Sequence, residues 1–301
     1  MDRVQDLRAF VRVAELASFT VAAEQLGLPK ASASTAVKRL EEEMGVLLLQ
    51  RTTRRVALTL EGRAFYERTK DLLADLDDMA SMFQVGGDAL TGRLRVDMPS
   101  STARKFVIPR LPEFLDAHPL LDLELSATDR RVDPVREGFD CVLRVGEVGD
   151  VNLFARRLGM FAIVNCASPA YLARHGTPRT LADLAGHRLI HYVPGLGGGS
   201  PGFEYPQGDG YASLPMDGAL TVNSAESYEA ACLAGLGIVQ TPQADLRPHL
   251  EAGRLVTVLP DLRPEPMPVT LLYPQRRHLP RRTAVFMEWL AEVLRPSLAP
   301  L

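Results

Sequence analysis

A chain of 301 residues is longer than a single hydrophobic core usually organises, so about two domains are expected. With 46% hydrophobic and 24% charged residues it falls outside the range of disordered chains and can bury a core. A formal net charge of -3 excludes the overall basic signature of a protein that coats nucleic acid, so any DNA-binding face has to be local.

The three cysteines, Cys141, Cys166 and Cys232, have no CxxC spacing. They cannot build a disulfide framework, and they fit burial in a reducing cytosol. The start of the sequence shows no basic segment followed by an apolar run, and no later run nears the roughly 18 apolar residues of a membrane span. A cytoplasmic protein without a membrane partner is expected.

In chain order, Leu7, Phe10, Val11, Val13 and Ala14 recur at helical spacing and the pattern breaks at Ser18-Phe19-Thr20. Thr20 is the expected N-cap of a second short helix ending at Gly27. After Leu28-Pro29-Lys30, Ala33, Ala36, Val37, Leu40 and Met44 repeat at three and four, which turns Ser32, Ser34, Thr35 and Lys38 to the opposite face. Leu47 to Leu58, rich in β-branched residues around Arg51-Thr52-Thr53-Arg54-Arg55, reads as a hairpin wing. From Leu60 a long helix carries Phe65, Thr69, Leu72, Leu76, Met79 and Phe83 as a seam that needs a partner. Gly86-Gly87 marks a boundary.

Beyond residue 90, strand and helix patterns alternate, which predicts an α/β architecture with a mainly parallel sheet. Strands are expected at 94–98, 121–127, 139–145, 161–167, 188–193, 219–222, 237–241, 255–259 and 269–273. Helices are expected at 106–117, 169–175, 181–185, 225–234, 244–252 and 283–294.

Two helices joined by a tight turn, the second with small polar and basic side chains, make a reader for the major groove of double-stranded DNA. Its candidates are Lys30, Ser32, Ser34, Thr35 and Lys38, with Arg51, Thr52, Thr53, Arg54 and Arg55 of the wing as backbone contacts. Residues 30 to 70 hold nine bases and five acids, a local net charge of +4 inside a chain that is acidic overall.

Residues 1 to 62 resemble the winged helix-turn-helix of LysR-type transcriptional regulators. The resemblance is carried by Ser18-Phe19-Thr20 with Ala22-Ala23-Glu24-Gln25-Leu26, by Ser34 through Glu41, and most strongly by Leu48-Leu49-Gln50-Arg51-Thr52-Thr53-Arg54-Arg55-Val56-Ala57-Leu58-Thr59. Pro29, Ala31 and Leu49 depart from the family pattern, and Pro29 has no hydroxyl with which to cap the third helix. Arg131-Val132-Asp133, Glu137-Gly138-Phe139-Asp140, Leu143-Arg144-Val145-Gly146 and Ala234-Gly235-Leu236-Gly237-Ile238 are similar to motifs of the family's effector-binding domain.

The resemblance implies a winged helix-turn-helix over 1–59, a linker and dimerisation helix over 60–86, and a two-lobed effector domain over 91–301, like that of periplasmic binding proteins. Lobe one would span 91–161 and 267–301, and lobe two 162–266. It further implies a homodimer or homotetramer joined through the linker helix, a small-molecule effector, and RNA polymerase as a further partner.

In such folds ligands sit beyond the carboxyl ends of strands, at helix N-termini. Ser100, Ser101 and Thr102 are placed for a carboxylate or for ordinary helix capping, and Asn223 and Ser224 hold the equivalent position in lobe two. Thr128 and Gln240 lie at other strand ends. Arg144 has an anionic ligand or Glu147 as candidate partner. Phe203 and Tyr205 supply an apolar wall or pack on the surface. A small anionic effector, aromatic or not, is the expectation.

Enzyme patterns are weak. Gly198-Gly199-Ser200-Pro201-Gly202 matches G-x-S-x-G, but Pro201 lacks the N–H an oxyanion hole requires and no helix pattern follows. Six histidines, His118, His175, His187, His191, His249 and His278, show no metal-ligand spacing, so no catalytic residue, metal or cofactor is expected. The competing reading is a cytosolic two-lobed solute-binding or enzymatic protein whose N-terminal helices serve oligomerisation alone.

Overall fold

The computed structural model describes residues 3–51, 56–81, 90–149, 153–274 and 279–299. The chain divides into two compact units, Met1–Arg93 with Leu120–Asp122, and Leu94–Pro119 with Leu123–Leu301.

The first unit holds α1 (Arg3–Leu16), α2 (Phe19–Gln25), α3 (Lys30–Met44), β1 (Leu49–Arg51), β2 (Val56–Leu58) and α4 (Leu60–Ser81). The apolar positions spaced three and four apart converge on one core, in which Leu7, Phe10, Val13, Ala22, Ala33, Val37, Leu40 and Leu48 are buried. Ser18 rather than Thr20 caps α2, accepting a hydrogen bond from Val21 N at 3.3 Å. Gly45 ends α3 in the left-handed conformation, at a φ of 69° that a side chain would disfavour.

The expected seam on α4 turns largely inward within the described residues. Phe65 and Leu76 pack on the three-helix core, Thr69 is buried, and the Phe65 and Phe10 rings lie 5.3 Å apart. Leu72 is exposed, whereas the side chain of Met79 and the whole of Phe83 lie outside the described residues.

The second unit contains two larger sheets. Its elements are β3 (Gly92–Met98), α5 (Ser100–Thr102), α6 (Leu111–Ala117), β4 (Leu121–Ala127), α7 (Pro134–Glu137), β5 (Cys141–Val145), β6 (Leu153–Phe161) and β7 (Ile163–Ala167). There follow α8 (Pro169–His175), β8 (His191–Tyr192), β9 (Phe203–Gln207), β10 (Gly210–Leu214), β11 (Thr221–Val222), α9 (Ala225–Leu233), β12 (Val239–Pro242), α10 (Gln243–Glu251), β13 (Val256–Thr257), β14 (Met267–Pro274) and α11 (Arg281–Leu294). Between α5 and α6 the chain stays helical through a π turn at Ala103–Val107 and a 3-10 turn at Ile108–Arg110.

The first lobe's sheet has the order β4-β3-β5-β14-β6, and the second lobe's has β12-β7-β13. The expectation of mainly parallel pairing is corrected here. β3 and β5 run parallel, but β14 is antiparallel to both β5 and β6, and β7 is antiparallel to both its neighbours. The chain crosses directly from β6 to β7 and returns through β14, so strands that enter a lobe from the other lobe run against those already there.

Candidate functional site

The polar face of α3 follows from the burial of its opposite side. Ala33, Ala36 and Val37 are 0% exposed, so Thr35 and Lys38 stand exposed and Ser32 and Ser34 half-buried on the outward side. The Thr35 hydroxyl donates to the Ala31 carbonyl at 3.0 Å, and Lys38 pairs with Glu42 at 3.4 Å. Both contacts are local and weak enough for a phosphate or base edge to replace. Pro29 leaves the first turn of α3 without a side-chain cap, and Ser32 holds it only through its main-chain N–H to Pro29 O, at 2.8 Å.

The wing is anchored from below. Glu41 of α3 accepts hydrogen bonds from Leu48 N at 2.9 Å and Leu49 N at 3.0 Å. Thr59 donates its hydroxyl to Leu47 O at 2.7 Å and accepts from Gly62 N at 2.8 Å, which fixes β2 to the start of α4. Thr52, Thr53, Arg54 and Arg55, and the side chains of Lys30 and Arg51, lie outside the described residues.

Between the lobes of the second unit lies a cavity of about 130 Å³. Ser101, Thr102, Thr128, Arg144 and Gln240 line it, brought together from α5, the end of β4, β5 and β12. Ser100, Phe203, Asn223 and Ser224 are not on its wall. Phe203 is 0% exposed inside the second lobe's core with Tyr171, Leu189 and Ile238, and Tyr205 packs against the same core. Ser224 spends its hydroxyl capping α9, while Asn223 is exposed.

Ser100, Thr128 and Arg144, among the donors expected to meet an effector carboxylate, are engaged by carboxylates of the protein itself. Asp129 accepts hydrogen bonds from Ser100 N and Ser100 Oγ, both 2.9 Å, and from Ala225 N at 2.6 Å. One side chain thus occupies the helix starts of both lobes. Arg144 pairs with the fully buried Asp97 at 2.6 Å, not with Glu147, and also donates to Leu143 O at 2.7 Å. Thr128 and Ser126 donate to the same Asp97 carboxylate, at 3.0 and 2.7 Å. Gln240 donates to Asn165 Oδ1 and Glu204 O and accepts from Glu204 N, each at 2.8 Å, so its amide holds the floor of the cavity together.

The other wall residues had no signal in the sequence. Phe161, Tyr192, Tyr228, Val145 and Met267 supply an apolar surface, and Asp129 and Asp245 supply carboxylates. Burial pushes the Asp245 carboxyl up to about 6, against the pull of the Lys105 charge and a hydrogen bond from Ser101. Burial, with the nearby Asp129 charge, raises the Tyr192 phenol to about 12. Lys105 crosses from the first lobe to pair with Glu229 and donates to Asp245 O at 2.6 Å.

The remaining chemistry is bland. Ser200 accepts from Gly202 N at 3.3 Å and is followed by strand β9, which has no place in a nucleophile elbow. Cys141, Cys166 and Cys232 are buried free thiols, and Cys232 Sγ contacts Cys166 O at 3.5 Å. Burial raises all three, Cys166 to about 12. Among the described residues no group of three or more His, Cys, Asp or Glu is arranged to hold a metal, and no helix is long and apolar enough to cross a membrane.

Comparison with known proteins agrees with this architecture. Residues 4–63 match the family described as bacterial regulatory helix-turn-helix protein, lysR family, and residues 87–295 match the LysR substrate binding domain. An uncharacterized HTH-type transcriptional regulator of Escherichia coli K12, YhjC, is 47% identical over 99% of this chain and all of its own length. The HTH-type transcriptional activator AaeR of the same strain is 31% identical over 97% of this chain and 94% of its own. Among solved structures, CrgA, a LysR-type transcriptional regulator from Neisseria meningitidis, is similar with a TM-score of 0.61 at 32% identity, covering 96% of this chain and 98% of that one. The chain belongs to the LysR-type transcriptional regulators, which pair a DNA-binding winged helix with an effector-binding domain.

Proposed function

We propose that the protein binds operator DNA as a homodimer or homotetramer and that a small molecule held between the two lobes modulates that binding or the promoter activation that follows. In this reading the domains are 1–59, 60–86 and 91–301, with lobe one at 91–161 and 267–301 and lobe two at 162–266. Lys30, Ser32, Ser34, Thr35 and Lys38 read the groove, with Arg51, Thr52, Thr53, Arg54 and Arg55 gripping the backbone. The outward Leu72 is the part of α4 that supports pairing of linker helices. The protein acts in the cytoplasm, with RNA polymerase as a further partner, and catalyses no reaction of its own.

The observation that carries this reading is the outward polar face of α3 on the same helix that Glu41 ties to the start of the wing. An effector preferring one arrangement of the lobes shifts that equilibrium by its differential affinity, and the paired linker helices transmit the change to the winged helices. Fluorescence anisotropy with the duplex upstream of its own gene tests the proposal. Affinity should fall steeply with salt and exceed that for an unrelated duplex of equal length. Equal affinity for the two duplexes would reduce the winged helix to a nonspecific or oligomerising role.

A further inference from the structure

Asp245 is 6% exposed and lines the inter-lobe cavity, and among the described residues its Oδ1 is buried without a hydrogen-bond partner. The nearest cation does not serve it, because the Lys105 ammonium is held by Glu229 and by the main-chain carbonyl of Asp245. Ser101 supplies one hydroxyl donor to the carboxyl, and burial still raises it to about 6. A buried acceptor left unmade loses its hydration with no return, so the site lacks a donor.

Charge points the same way. On the cavity wall, Asp129 and Asp245 stand against Arg144 alone, and Arg144 is already paired with the buried Asp97 behind it. A further anion would enter a field already negative, and the helix starts that would bind it are occupied by Asp129. The walls are aromatic at Phe161, Tyr192 and Tyr228, and ring faces attract organic cations. The volume of about 130 Å³ is close to the roughly 150 Å³ that admits one benzene ring in an apolar cavity.

We propose that the effector carries an ammonium group seated against Asp245 Oδ1, on an apolar body about the size of one ring packed against Phe161, Tyr192 and Tyr228. The proposal rests on the reading of this cleft as the effector site. It replaces the anionic effector expected from Ser100 and Arg144, whose donors the protein uses internally. A charge-assisted N–H···O bond to Asp245 would supply the donor that the buried oxygen lacks.

Calorimetry and thermal-shift titration of the full chain with benzylamine, butylamine, benzyl alcohol, benzoate and butyrate test it. The two amines should bind and raise the melting temperature, with benzoate, butyrate and benzyl alcohol at least about tenfold weaker. Asp245→Asn, which keeps the shape and the acceptor but removes the charge, should weaken amine binding about tenfold or more. The ligand series on the unaltered protein decides the class whether or not that variant folds. No binding by either amine, binding of benzyl alcohol or benzoate as tight as that of benzylamine, or amine affinity unchanged in Asp245→Asn would each overturn the proposal. Met267→Trp, at an exposed position on the rim of the cavity, places an indole across the cleft. Benzoate binding that disappears in this variant while amines never bind sinks the ammonium but keeps the cleft as effector site. Binding of every probe unaffected by Met267→Trp sinks both.

Discussion

The carboxylate of Asp129 accepts a hydrogen bond from the main-chain N–H of Ala225, 2.6 Å away at the first residue of α9, and so ties one lobe to the helix start of the other. The same carboxylate holds Ser100 N and Ser100 Oγ at the start of the helical stretch after β3. Asp129→Ala leaves those part-buried donors unmatched, so stability should fall by roughly 1–3 kcal/mol. The freed helix starts should then accept an external anion, and millimolar formate or acetate should restore much of the lost melting temperature in the variant and none in the parent. A variant that melts as the parent does, or one indifferent to formate, would show that Asp129 does not organise the two lobes.

The raised carboxyl of Asp245 makes a signed prediction about pH. Its folded value of about 6 lies above the ordinary 3.8, so the folded state binds the proton more tightly than the unfolded state. The associated stabilisation is complete below about pH 4 and is lost as pH rises through about 6, where the buried charge must be carried near Asp129 and Glu229 with the Lys105 charge and the Ser101 hydrogen bond as partial offsets. Asp245→Asn removes that penalty. Its advantage over the parent in denaturant melts should reach the order of 3 kcal/mol at pH 7.5 and shrink towards zero at pH 4. An advantage independent of pH would mean that Asp245 does not titrate in this window.

Gly62 lies in the first turn of α4 against the wing, where a Cβ would stand 1.8 Å from Leu48 O. That neighbour is main chain held by the Thr59 and Glu41 hydrogen bonds, so it cannot step aside as a flexible side chain would. Gly62→Ala should cost roughly 1–3 kcal/mol and displace the wing, with DNA affinity falling even where the chain remains folded. Parent-like melting and anisotropy curves would refute the close approach.

Glu41 and the wing arginines separate by salt dependence. Glu41→Ala removes two main-chain partners of the wing and no phosphate contact, so DNA affinity should drop while the slope of log affinity against log salt stays as in the parent. Arg54→Ala, on the proposed reading, should flatten that slope by about one, as loss of one phosphate contact does. Identical slopes for parent and Arg54→Ala would remove Arg54 from the DNA interface.

Periodicity in the sequence was enough to place α1, α3 and the wing, because their apolar residues meet partners within sixty residues and the alternation of faces records that burial directly. The strands whose expected spans overlap those observed, such as 121–127, were legible for the same reason. The hairpin β9–β10 was not anticipated, since Glu204, Pro206 and Gln207 break any apolar alternation and its register is set by pairing alone. Strand β6 was missed because Arg156 and Arg157 interrupt it, and only the antiparallel partner β14 reveals why they are tolerated. Within the cleft, hydroxyls at strand ends were visible in the sequence, but their partners were not. Asp97 and Arg144, 47 positions apart, or Asp129 and Ala225, 96 apart, become neighbours only once two lobes fold. The sequence therefore identified donors and could not show that they were already engaged.

The π turn at Ala103–Val107 has an implication for how a chain like this one can change. A single added residue in a helix rotates everything on one side of it by about 100°, and Lys105, which bonds to α9 and α10, lies within this turn. Deleting one residue from the segment would let ordinary α geometry return, swing the ammonium away from Glu229, and leave the lobes coupled through Asp129 without their lysine strut. A one-codon deletion, conservative by any measure of composition, is thus a short route to a regulator with the same recognition helix and an altered response.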